Sequence, residues 1–169
     1  MIPETERKTW TDKSASEYCS AILGKPVKVS YAPMEETGFL AKANADGSIT
    51  FCDRDCPRWV FWHEAGHLAD APGSIYEIVA PKMVKIDRDM RKLAGAKLSS
   101  VSSERMAELG EEALHEVKAH LWAITTAVAA KEDDVASELI DAIGAFPQDK
   151  PAYVQAATIL RSVIGDLKL

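Results

Sequence analysis

An Asp46-Gly47 pair sits between two short apolar segments, and it dictates a reversal of the chain. Glycine reaches positive φ without a Cβ penalty, and Asp-Gly between strand-like runs is a strong hairpin signal. Residues 39–43 and 49–51 are then the two paired strands, joined by a tight two-residue turn. Residues 27–31 alternate apolar and polar, as a half-buried strand does. The first third of the chain therefore predicts a small antiparallel sheet. Residues 11–23 have helical spacing, with Tyr18, Ile22 and Leu23 as an apolar stripe and Gly24 as the stop. Residues 1–10 are polar, contain a proline, and are expected to form a loose leader.

From Asp55 onward the pattern is helical. Asp55-Cys56-Pro57 offers a capping acid followed by a proline for the first turn, so a helix should run through Trp59, Trp62, His63 and His67 to about Asp70. Ala71-Pro72-Gly73 ends it. A second helical stretch covers residues 75–93, kinked or broken at Pro81. The serines at 99, 100, 102 and 103 offer caps for a long helix over residues 104–130, and residues 133–143 and 151–167 complete the set. The expected architecture is α+β in a single domain over residues 1–169, sheet first and helices after.

Composition narrows the function. Hydrophobic residues make up 47% of the 169 and charged residues 27%, which excludes disorder as the main state. Acidic residues outnumber basic ones by 26 to 20, so no basic surface is advertised for nucleic acid. No apolar run approaches the roughly 18 residues of a membrane span. Three cysteines, Cys19, Cys52 and Cys56, are too few and too odd in number for a disulfide framework. Reduced thiols and a cytoplasmic location are the simpler expectation.

The residues that carry chemistry are His63-Glu64-Ala65-Gly66-His67. On a helix, side chains four apart share a face, so both imidazoles point the same way. That suits two nitrogen ligands on one zinc ion, and Glu64 beside the first histidine can face a water without ligating the metal. H-E-x-x-H on a helix is the signature of zinc metalloproteases. A catalytic zinc takes a third protein ligand and leaves the fourth position to water. The long helix from Glu104 is the rich source of candidates. Glu108, Glu112, Glu116 and His120 lie four apart and form one stripe. A solvated face accounts for most of these carboxylates. It accounts less well for Glu116, whose neighbours Ala119, Leu121, Trp122 and Ala123 look buried, so Glu116 leads and Glu112 is the alternative.

With Asp70 following it, this motif resembles that of a gluzincin, the zincin class whose third ligand is a glutamate on a later helix. Within that class the chain is similar to the minigluzincins and to the catalytic domain of anthrax lethal factor. Gly66, Asp70 and Gly73 match their pattern around the second histidine, and Glu116, Ala119 and Trp122 match Glu-x-x-Ala-x-x-aromatic on the later helix. The resemblance spans about residues 49–123. The chain also resembles the ImmA/IrrE group of peptidases, which shares the strand, the motif helix and a later glutamate. It departs from the lethal-factor type at Leu109, where that type carries a tyrosine that steadies the oxyanion, and His120 stands where it often has a second acid.

The resemblance implies a zincin-like fold and a zinc-dependent metallopeptidase acting on a peptide or protein substrate. His63, His67 and Glu116 would hold Zn2+, and Glu64 would act as general base. Asp70, one turn after His67, could accept a hydrogen bond from a ligand imidazole and fix its tautomer. The 49–51 strand, if at a sheet edge, could pair with an extended peptide. The alternative is a non-catalytic interaction or regulatory module, its zinc held structurally by Cys52, Cys56, His63 and His67.

Overall fold

The structure, a computed structural model, describes residues 9–33, 40–69 and 103–167. Within them the architecture is α+β, a three-stranded mixed sheet with five α-helices. The chain divides into two compact units, Met1–Ala69 and Asp70–Leu169. The expected 75–93 helix and Asp70 lie outside the described residues, as do residues 1–8 of the leader.

The first unit opens with helix α1, Asp12–Leu23. Thr11 caps it through a reciprocal pair with Ser14: the Thr11 hydroxyl accepts from the Ser14 N–H at 3.0 Å, and Ser14 Oγ accepts from the Thr11 N–H at 3.0 Å. Gly24, at φ 66°, ends the helix in the left-handed conformation that a residue with a Cβ resists. Strands β1 (Val29–Tyr31), β2 (Ala41–Ala43) and β3 (Ile49–Phe51) follow, in the spatial order β1-β3-β2. Here the sheet departs from the antiparallel expectation. β3 pairs antiparallel with β2 but parallel with β1, because β3 rather than β2 takes the lane beside β1. β3 is therefore not an edge strand; among the described residues β2 is.

The reversal between β2 and β3 is also one residue longer than a two-residue turn. Asn44 N–H donates to the Ser48 carbonyl at 2.8 Å and Gly47 N–H to the Asn44 carbonyl at 3.0 Å, with Gly47 at φ 84°. This is a turn closed by a left-handed glycine, the usual three-residue hairpin. Asp46 accepts from both the N–H and the hydroxyl of Ser48, and these bonds hold its carboxyl below the ordinary range.

Val29, Ala41, Ile49 and Phe51 face one side of the sheet and are buried with Ala15, Cys19, Val27, Cys56, Val60 and Phe61. Trp10 joins this core, 4% exposed, with its indole N–H donating to the Cys56 carbonyl at 3.0 Å and its ring 4.8 Å from Phe61. The leader expectation thus fails at its last two residues, since Thr9 also donates to Asp55 at 2.9 Å. A large aromatic ring loses too much by staying in water.

Helix α2, Arg58–Leu68, comes next. Pro57 is its N-cap rather than a residue of the first turn, and Asp55 makes no cap. The helix ends at Ala69, whose N–H donates to the Ala65 carbonyl.

Among its described residues the second unit contains helices α3 (Ser103–Ala129), α4 (Asp133–Ala142) and α5 (Pro151–Leu167), with a 3-10 turn at Ile143–Ala145. α3 packs along α4 and α5. Ala113, Val117 and Leu121, four apart on α3, meet Ala156, Ile159, Leu160 and Val163 of α5 in one buried cluster. Pro151 opens α5 at the position where its missing N–H costs no helical bond. No helix among the described residues is long and apolar enough to cross a membrane.

Candidate metal centre

Seven consecutive α2 residues, Val60 to Gly66, are buried. A helix buried on every side brings its polar residues into the interior, where each needs a partner. Trp62 donates its indole N–H to the Tyr18 hydroxyl at 2.9 Å, which fixes the rotation of α2 against α1. His63, 7% exposed, and the half-buried His67 lie one turn apart on one face of the helix. Their Nε2 atoms stand 3.2 Å apart, with the rings edge-to-face at 84°.

This separation fits a shared cation. Two nitrogens bound to one zinc at the usual distance and tetrahedral angle lie about 3.3 Å apart. One potential ligand atom from each of His63, His67 and Glu116 falls within 4.8 Å of the others, and among the described residues they form the one such group. Two imidazole nitrogens and a carboxylate oxygen are the donor set of a catalytic zinc with one position left open.

The other candidates fall elsewhere. Glu112, one turn before Glu116 on α3, is exposed and outside the group. His120 is fully buried, its Nε2 2.6 Å from the Leu139 carbonyl and its ring against Phe146 at 5.1 Å. A nitrogen facing a carbonyl must carry the proton, so this one is a donor and no metal ligand. Cys52 and Cys56 do not join the group either. Both are reduced thiols outside any disulfide, as is Cys19. Burial, helped by Asp53 and Cys52, pushes Cys56 up to about 12, and burial also raises Cys52.

Glu64 is 8% exposed, and its Oε2 accepts from the Ala43 N–H at 2.8 Å. The sequence offered no sign of this contact, because a backbone donor is the same at every residue. No protein family, curated protein or solved structure matches the chain.

Proposed function

We propose that the chain is a zinc-dependent metallopeptidase of the zincin type, with His63, His67 and Glu116 as the metal ligands and Glu64 as general base. One observation carries this reading: the two Nε2 atoms converge at 3.2 Å on one helix, and Glu116 completes a three-donor group with them. Zinc in such a site supplies Lewis acidity, which lowers the pKa of a water from about 15.7 toward 7. Glu64, adjacent to His63 in sequence, takes a proton from the attacking water and delivers it to the leaving amine. The substrate is a peptide or protein, and reduced thiols at all three cysteines suit a reducing compartment such as the cytoplasm.

The test combines metal content with turnover. Wild-type protein should hold one zinc per chain and cleave members of a fluorogenic peptide library. Glu64→Gln should keep the zinc and lose about 10²- to 10⁴-fold in turnover, the usual worth of a general base. Glu116→Ala should weaken zinc binding, and Glu112→Ala should leave it unchanged. A wild type that binds zinc yet cleaves nothing would overturn the peptidase reading.

A further inference from the structure

Among the described residues β2 is an edge strand, and the direction of each of its backbone groups follows from the ladder. Cys52 N–H donates to the Leu40 carbonyl at 2.9 Å and Asn44 N–H to the Ser48 carbonyl at 2.8 Å. In an antiparallel pair, bonded and non-bonded residues alternate. With Lys42 opposite Thr50, residues 40, 42 and 44 turn their backbone groups toward β3. Ala41 and Ala43 turn theirs outward. The neighbouring lane agrees: Ile49 N–H donates to the Lys28 carbonyl, and the Phe51 carbonyl accepts from Ala32, both at 3.0 Å, so these β3 residues face β1.

An outward N–H on an edge strand ordinarily meets water. That of Ala43 instead meets Glu64 Oε2 at 2.8 Å, on the helix that packs against β2. Resting on the peptidase reading above, we infer that the Ala43 N–H is a positioning group for the reaction: it pins one oxygen of Glu64 to the sheet edge and thereby fixes where the carboxylate reaches.

A glutamate has three side-chain torsions, and a general base must stand within about 0.5 Å of its productive place to be effective. Helix α2 fixes the Cα of Glu64, yet its carboxylate can still swing toward His63 and His67 and compete as a ligand. An N–H donated to a carboxylate is a strong, charge-assisted bond, and holding Oε2 removes that freedom. The sheet supplies the donor at no cost to its own ladder, because Ala43 has no ladder bond to give up.

The same geometry provides the test. Proline is accepted on an edge strand where its nitrogen faces away from the partner. Ala43→Pro thus deletes the donor while Lys42 and Asn44 keep their bonds to β3. With the best substrate from a fluorogenic peptide library, kcat should fall about 100-fold, as misplacement of a reacting group by an ångström does, with KM and zinc content unchanged. Amide exchange at Lys42 and Asn44 should stay slow, showing an intact strand. In wild type the Ala43 amide should exchange slowly despite its place on the edge, and in Glu64→Ala it should exchange fast. Wild-type kcat in Ala43→Pro, or an Ala43 amide that exchanges equally fast with and without Glu64, would overturn the positioning role. A protected Ala43 amide in a wild type that cleaves no peptide would instead overturn the peptidase reading, and the catalytic purpose of the anchor with it.

Discussion

Each imidazole of α2 can share a proton with the other or hold a cation with it, and 3.2 Å between the Nε2 atoms permits both. Nearby, the buried thiols make a separate prediction. Burial first, then the Cys56 thiol and Glu64, pushes Cys19 from an ordinary 9.0 up to about 12, and Cys56 rises from 9.0 to about 12 as well. The folded chain therefore keeps two protons that the unfolded chain releases above about 9. Stability from these groups is fully present below that pH and is lost progressively as pH rises toward 12. The urea midpoint should drop between about pH 8 and about pH 10.5, and the drop should shrink in Cys19→Ala. At neutral pH neither thiol should react with iodoacetamide until the protein unfolds.

Among the elements, the end of α3 shows how a helix can stop without glycine. Glu132 N–H donates to the Ala127 carbonyl at 2.9 Å and Lys131 N–H to the Val128 carbonyl at 3.0 Å, with Lys131 at φ 61°. This is the Schellman arrangement, and it sets a lysine in the left-handed conformation that costs a residue with a Cβ about 1 kcal/mol. Lys131→Gly should raise stability by roughly 0.5–1 kcal/mol, read as a higher urea midpoint with an unchanged slope. On the same helix Leu121 is 1% exposed within the core of the second unit. Leu121→Ala should cost about 2–5 kcal/mol through the cavity it leaves. The sequence placed α1, α3, α4 and α5 to within a residue or two, from helical spacing together with Gly24 after α1, the serines before α3 and the turn over residues 144–151 between α4 and α5. At α2 the start was not legible, and the residues read as its stop, 71–73, lie outside the described residues. Proline suits either side of the boundary, and nothing local says which.

At the scale of the whole molecule, a ligand that binds only the folded chain stabilises it by mass action. Free zinc at about 100 times its Kd should add about 2.7 kcal/mol, so a chelator should lower Tm in wild type and much less in a His63→Ala, His67→Ala double variant. The first unit has its core under the sheet and the second has its own between three helices, so each contributes a packed body of its own. The sequence by itself determined the α+β order, the hairpin at Asp46-Gly47 and the spacing of His63, Glu64 and His67, because turns, periods and i,i+4 neighbours are local properties of the backbone. The tertiary structure alone decided that β3 lies between β1 and β2, that Trp10 enters the core, and that His120 donates to Leu139. It also gave Glu64 the backbone of Ala43 as a partner. Strand order and buried polar pairing join residues far apart along the chain. They are fixed by which apolar faces can be covered and which buried donors satisfied, and no local pattern encodes either.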